Sequence, residues 1–154
     1  MKILALDIGK KRIGVATCDR LEIAASPFSV VKAGKNAISE IVALLQKEEI
    51  DRVVIGLPVS LDGVEREPCQ RARFFKNSLE KQTSLPIEFF DERLTTKIAE
   101  ASLIEAGMRR EQRREVIDAV AASLILRSYL EYRKNTGAAM DEISSAAREQ
   151  RKET

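Results

Sequence analysis

Acidic residues end apolar stretches at three widely separated places in the chain. Asp7 closes an apolar run that begins at Ile3, Asp91 and Glu92 follow another such run, and Asp118 interrupts an otherwise apolar helical pattern. Carboxylates at such positions are costly to bury unless positive charge compensates them. When several converge, the usual compensating charge is a divalent metal, and oxygen ligands suit Mg²⁺ or Mn²⁺. The pattern therefore predicts a metal site formed by these acids, and metal-assisted cleavage of phosphodiester bonds.

Two-metal hydrolysis fits this set of residues. In such sites carboxylates hold two ions ~3.5–4 Å apart, one activating water and the other stabilising the leaving oxygen. The chain contains no histidine, which excludes Ser-His-Asp triads, Cys-His pairs and most zinc chemistry. The two cysteines, Cys18 and Cys69, lack the spacing of a metal site or a disulfide framework, so we expect free thiols.

Each acidic residue also has a purely structural explanation. A strand-ending Asp7 can cap a turn, and Asp91 and Glu92 beside Arg93 can form a surface ion-pair cluster of small energetic value. Asp118 can pair with an arginine from the first turn of its own helix. The coincidence of all three positions favours metal ligation. Because adjacent strand residues face opposite sides of a sheet, Asp91 and Glu92 both stay candidates.

The residues expected to bind substrate flank these carboxylates. Gly9 and Gly14 flank a basic turn and would let a phosphate backbone approach closely, basic side chains pair with phosphates, and the N-terminus of a helix favours anions. The candidates are Gly9, Lys11, Arg12, Arg93, Thr95 and Thr96. Residues 109–114 hold four arginines in six positions, which is either a further phosphate-binding surface or a solvated helix start.

Length and composition place these residues in one ordinary domain. A chain of 154 residues that is 44% hydrophobic and 32% charged is typical of a globular protein with a sizeable core. No apolar run approaches the ~20 residues that span a bilayer, and Asp7 interrupts the N-terminal apolar stretch before it could form a signal peptide. We therefore expect a cytoplasmic protein without membrane contact. The net charge of +2 provides no global field for nucleic acid.

The apolar patterns predict an α/β fold with a mixed five-stranded sheet and helices on both faces. We expect strands at about 2–8, 12–18, 22–31, 51–56 and 87–90, and helices beginning near residues 36, 66, 95 and 111. Because a strand that follows a crossover helix lies parallel to the first strand, the acidic strand ends should meet at one edge of the sheet. Residues 1–133 form the predicted domain, and residues 134–154 a mobile tail or loosely attached helix.

Four motifs occur in order along residues 2–133. They are LDIG at 6–9 followed by KRIGVA, IGLP at 55–58 followed by DG, FDERLTT at 90–96, and IDAVAA at 117–122. Together they resemble the YqgF family, also called the RuvX-like resolvases. The resemblance implies a ribonuclease H-like fold, nuclease activity, and catalytic acids at Asp7, within Asp91-Glu92, and at Asp118. Lys10, often threonine in that family, and Ser60-Leu61, usually Asn-Met, depart from its pattern and could alter substrate fit.

The family is linked to trimming the 5′ end of precursor 16S ribosomal RNA and, in some bacteria, to Holliday junction resolution. We therefore expect a metal-dependent endonuclease acting on precursor ribosomal RNA, with ribosomal particles as further partners. The first alternative is a resolvase of branched DNA, which should be a homodimer; the sequence leaves monomer and homodimer open. A nucleotide-binding module is also conceivable, because the hairpin after Asp7 resembles the phosphate loop of actin-like ATPases, but 154 residues leave room for one lobe only. A non-catalytic ribosome-assembly protein is the last alternative.

Overall fold

The structure of the protein, a computed structural model, describes residues 1–94 and 110–137. The helix predicted to begin at Thr95 or Thr96 and to end at Gly107 therefore lies outside the described residues, as does Arg109. None of the described helices is both long and apolar enough to cross a membrane.

Five strands form one mixed sheet in the order β3-β2-β1-β4-β5, which confirms the predicted sheet. The central strand β1 is antiparallel to β2 and parallel to β4, while β2 and β3 are antiparallel and β4 and β5 are parallel. Pro27 lies on β3, an edge strand, where a missing backbone N–H is tolerated. The strands are β1 Ile3–Ile8, β2 Arg12–Cys18, β3 Ala25–Lys32, β4 Arg52–Leu57 and β5 Ile87–Asp91.

Helices cover both faces of this sheet, as predicted. The helices α1 (Ala37–Lys47) and α2 (Glu67–Glu80) pack on one face, and α3 (Arg110–Thr136) packs on the other. A 3₁₀ turn, Glu92–Leu94, follows β5 directly. Since α3 continues to Thr136, residues 134–136 of the predicted tail belong to this helix, and Gly137 follows with a φ of 72°. Glycine favours this left-handed conformation just after a helix end.

Two hydrophobic layers result from the alternation of side chains along the strands. Leu4, Leu6 and Ile55 pack under α1 and α2, whereas Ile3, Ala5 and Val54 pack under α3. Burial on both faces explains why β1 and β4 are continuous apolar runs in the sequence. Each fully buried leucine or isoleucine stabilises the fold by roughly 1.5–3 kcal/mol. The same alternation decides on which face each functional side chain lies.

Candidate active site

Asp7 lies near the carboxyl end of the central strand, on the face covered by α3. Ile3 and Ala5, the alternate residues before it, both pack beneath that helix, so the alternation of β1 directs Asp7 to the same side. Asp7 pairs with Gly14 of β2, and Gly56 of β4 is the next position on its other side. The Asp7 side chain therefore stands between two neighbouring positions that have no side chain.

Gly14 lets the backbone of α3 rest directly on the sheet. A Cβ atom at this position would lie 1.8 Å from the carbonyl oxygen of Asp118 and 2.4 Å from its carbonyl carbon. No side chain fits there, so the glycine is what brings Asp118 down beside the strand of Asp7. The expectation that Gly14 leaves room for a phosphate backbone is therefore wrong, because helix α3 fills that space.

Gly56 has the corresponding role for Glu92 on the other side of Asp7. A Cβ atom on Gly56 would lie 2.5 Å from Oε1 of Glu92 and 2.6 Å from Cδ1 of Ile125 in α3. The Glu92 carboxylate thus lies over β4 on the α3 face. Adjacent strands are about 4.8 Å apart, so Asp118 over β2, Asp7 on β1 and Glu92 over β4 lie above three neighbouring strands on one face of the sheet.

Asp91 belongs to the opposite face. Ile87 and Phe89, the alternate residues before it in β5, pack against the core under α1 and α2. Its carboxylate accepts hydrogen bonds from Nη2 of Arg93 at 2.6 Å, from Nε at 2.9 Å and from the Arg93 backbone N–H at 2.9 Å. These bonds from Arg93 lower the pKa of Asp91 below the ordinary value of an aspartate. The structure thus places Glu92, and not Asp91, on the face of Asp7 and Asp118.

Asp118 accepts an ion-pair hydrogen bond from Arg12 across the helix–sheet interface. The distance from Nε of Arg12 to Oδ2 of Asp118 is 2.7 Å, and the two side chains are 30% and 25% exposed. This arginine comes from the start of β2; the arginine side chains of the first turn of α3, the structural alternative for Asp118, lie outside the described residues. Arg12 thereby provides the positive charge that a carboxylate at this depth requires.

The donor chemistry of this face fits a divalent cation. Three carboxylates supply the hard oxygen ligands that Mg²⁺ and Mn²⁺ prefer, and two glycines make the space in which they approach the sheet. In residues 1–94 and 110–137, no three acidic or thiol side chains already converge closely enough to hold one ion. Asp7 and Glu92 have further interactions of their own. Metal binding would therefore require these side chains to rotate, and ligation by Asp7, Glu92 and Asp118 stays a prediction.

The hairpin that follows Asp7 presents basic side chains on the β3 side of this site. Gly9 closes the turn by donating its N–H to the carbonyl oxygen of Arg12 at 2.9 Å, and a Cβ on Gly9 would lie 2.4 Å from that oxygen. A tight turn therefore accounts for this glycine. Lys11 and Arg12 line a cavity of about 740 Å³ together with Lys10, Val30, Lys32 and Ala33.

Sequence reasoning missed Lys10 and Lys32 as members of this basic site. Lys32 stands opposite Arg12 in the ladder between β2 and β3, but this ladder contains a register shift between Val15 and Ala16. A sequence gives no reliable position for such an irregularity. Lys10 was visible as part of the basic turn, and its position beside Lys11 was the available signal.

Comparisons with known proteins agree with this architecture. The family model RuvX, described as Holliday junction resolvase, matches residues 1–132. A protein of Syntrophus aciditrophicus is 43% identical over 133 residues, which cover 85% of this chain and 89% of the relative. A protein of Agathobacter rectalis is 37% identical over 141 residues, which cover 88% and 99%. Both relatives are named "Putative pre-16S rRNA nuclease".

The fold also matches a solved resolvase structure. Thermus thermophilus RuvC, in complex with a Holliday junction substrate, superposes with a TM-score of 0.55 over 88% of this chain and 97% of that chain. At 16% identity this likeness shows the fold alone, and it confirms the ribonuclease H-like architecture expected from the sequence. Since the RuvX model matches nearly the whole chain and relatives exceed 30% identity, this protein belongs to the RuvX family of nucleases.

Proposed function

We propose that this protein is a metal-dependent endonuclease that processes the 5′ end of precursor 16S ribosomal RNA in the cytoplasm. The names of relatives about 40% identical support the substrate. The observation that carries the metal-dependent chemistry is the position of Asp7 between Gly14 and Gly56, which allows Asp118 and Glu92 to approach the same face. Ribosomal particles that carry the precursor are the proposed partners.

Each residue of the site has a distinct role in this proposal. Asp7, Glu92 and Asp118 hold Mg²⁺ or Mn²⁺. The chemistry that such ions supply when bound is the activation of a water molecule and the stabilisation of the leaving oxygen. Arg12 binds a substrate phosphate with its planar guanidinium. Asp91 holds Arg93 on the other face and thereby fixes the end of β5 from which Glu92 projects.

The replacement Asp7→Asn tests the metal-dependent nuclease activity. Asparagine keeps the shape of the side chain but removes the charge that binds a cation. We expect cleavage of a precursor 16S RNA fragment to fall by about 10²–10³-fold, the usual effect of removing one charge-stabilising group, while RNA binding in EDTA is retained. The matched control is Asp51→Asn, because Asp51 is exposed and accepts the backbone N–H of Lys2 at 2.8 Å at the opposite edge of the sheet. An unchanged cleavage rate in Asp7→Asn would refute the catalytic role of Asp7, and failure of the parent protein to cleave in Mg²⁺ would leave RNA binding in ribosome assembly as the better explanation.

Cleavage of branched DNA is the second candidate function. It is favoured by the description of the family model and by the fold shared with a resolvase. A resolvase must present two active sites to two strands, so it acts as a homodimer. Cleavage of a precursor RNA and of a four-way DNA junction should be compared under identical conditions, with the molecular mass measured in solution. Preferential cleavage of the junction by a dimer would replace the RNA assignment.

A further inference from the structure

The cavity beside the hairpin carries a concentrated positive charge. Its charged lining residues are all basic: Lys10, Lys11, Arg12 and Lys32. The three lysines are exposed, and none of them forms an ion pair with another of the described residues. A cleft lined by charges of one sign attracts ions of the opposite sign, so this cluster leaves positive charge available to an external anion. We call these four residues and the cavity that they line the basic groove.

The basic groove opens on the same face of the sheet as the proposed metal ligands. Arg12 and Lys32 are partners in the ladder of β2 and β3, and directly opposite residues of an antiparallel pair share a face. Gly14, two residues after Arg12, lies under α3, so Arg12 and Lys32 also belong to the α3 side. The groove therefore lies on the same face of the sheet as Asp7, and Arg12 is the lining residue that contacts Asp118.

The charge of the side chains changes from positive to negative across this edge of the sheet. Lys32 on β3 and Arg12 on β2 are positive, whereas Asp7 on β1 and Glu92 after β5 are negative. With strands about 4.8 Å apart, Lys32 lies two strands, or about 10 Å, from the strand of Asp7. For comparison, that span is about three times the axial rise per base pair of double-stranded DNA, so the groove is long enough for more than one backbone phosphate.

We propose that the basic groove binds successive backbone phosphates of the RNA strand next to the bond that is cut. This inference rests on the proposed nuclease function and adds the path of the substrate strand, from β3 across β2 to Asp7. Several lysines spread along a groove suit a repeated phosphate charge better than a single compact anion. Arg12 lies where the groove meets the carboxylates, because its Nε also binds Oδ2 of Asp118 at 2.7 Å.

The test is the salt dependence of RNA binding, measured in EDTA so that no cleavage occurs. The probe is a fluorescein-labelled precursor 16S RNA fragment, and a DNA of the same sequence serves as comparison. The variant Lys10→Gln/Lys11→Gln/Lys32→Gln removes three charges from the groove. The control variant removes three charges from exposed lysines near the opposite edge of the sheet, at Lys47, Lys81 and Lys134.

The groove variant should bind RNA more weakly, and its plot of log affinity against log salt should be shallower by about 2 for a single strand or nearly 3 for a duplex. The control variant changes the net charge by the same amount but should keep the parental slope, because its lysines lie outside the groove. Equal slopes for the groove variant and the parent would overturn the proposal. If the slope changes as expected but the parent protein does not cleave the RNA in Mg²⁺, the groove stands and the nuclease assignment fails. If the parent protein cleaves the RNA but the slopes are equal, the groove alone is rejected.

Discussion

The replacement Gly14→Ala should separate the helix α3 from the sheet at the proposed active site. The new methyl group would lie 1.8 Å from the carbonyl oxygen of Asp118, 2.4 Å from its carbonyl carbon and 3.1 Å from the nitrogen of Ala119. All three atoms belong to the backbone, so no rotation of a side chain can relieve the overlap. Helix α3 must move until the closest contact exceeds about 3 Å.

The expected cost has two parts. Overpacking a well-packed interface usually destabilises a protein by about 1–3 kcal/mol, and here Ala122 and Leu126 of the same helix are fully buried against the sheet. The shortest contact would have to lengthen from 1.8 Å to about 3 Å, so the backbone of Asp118 would move by more than 1 Å away from the sheet on which Asp7 lies. A misplacement of about 1 Å in an active site can lower the rate about 100-fold. The loss of activity should therefore exceed the loss of folded protein.

The comparison variant is Gly56→Ala, in which the new methyl group meets only the ends of flexible side chains. Its contacts are 2.5 Å to Oε1 of Glu92 and 2.6 Å to Cδ1 of Ile125, and both side chains can rotate away. We expect the urea midpoint of Gly56→Ala to be closer to that of the parent than the midpoint of Gly14→Ala is. Cleavage should still fall because Glu92 is displaced. Urea unfolding followed by circular dichroism gives the stability, and RNA cleavage at saturating Mg²⁺ gives the activity.

Two results would contradict the close approach of α3 to β2 or its role in catalysis. Ordinary surface replacements change the free energy of unfolding by up to about 0.5 kcal/mol. If Gly14→Ala changes it by no more than that, the backbone contact at Asp118 is not formed as described. If the stability falls but the cleavage rate per folded molecule does not, the position of Asp118 has no part in the chemistry.

Two further predictions concern the neighbouring charges. Glu92→Gln should lower RNA cleavage by about 10²–10³-fold, whereas Asp91→Asn, which removes only the ion pair that fixes the end of β5, should lower cleavage much less. Since Arg93 lowers the pKa of Asp91, that carboxylate stabilises the fold fully above the ordinary aspartate pKa of about 3.9 and loses this effect as the pH falls through its lower folded value. Asp91→Asn should therefore flatten the acid-induced decrease in urea midpoint, and equal cleavage losses in both variants would reject the distinction. Arg12→Gln should strengthen Mn²⁺ binding, measured by calorimetry, about tenfold, because a competing positive charge 2.7 Å from Asp118 is removed. The control is Arg93→Gln on the other face. An unchanged Mn²⁺ affinity of Arg12→Gln would refute the competition.

The order of strands and helices could be predicted from the sequence because the sheet is buried on both faces. β1 and β4 are uninterrupted apolar runs, and the acidic residue Asp7 marks where the first run loses its hydrophobic character. The topology followed from the handedness and direction of crossover connections. These signals are local or follow from general rules, so they do not depend on knowing which side chains touch.

The arrangement of the carboxylates could not be predicted, because it depends on contacts between distant segments. The alternation of β5 puts Asp91 and Glu92 on opposite faces, but only the packing of Phe90 against α3 shows that Glu92 is the one on the α3 face. Gly14 seemed to open a space beside a basic turn, but the space receives the backbone of a residue 104 positions later in the chain, Asp118. Neither fact is visible in the period of the hydrophobic pattern.

The pairing of Arg12 with Asp118 links the two halves of the site. The same guanidinium lines the basic groove and donates to a proposed metal ligand, so it cannot serve a substrate phosphate and Asp118 equally well in one position. A phosphate that draws Arg12 into the groove would release Asp118 Oδ2 for a cation, and by linkage a bound cation would favour the phosphate to the same extent. Binding of RNA and of metal should therefore strengthen each other, which gives a physical reason for placing an arginine, and not an apolar residue, between the hairpin and helix α3.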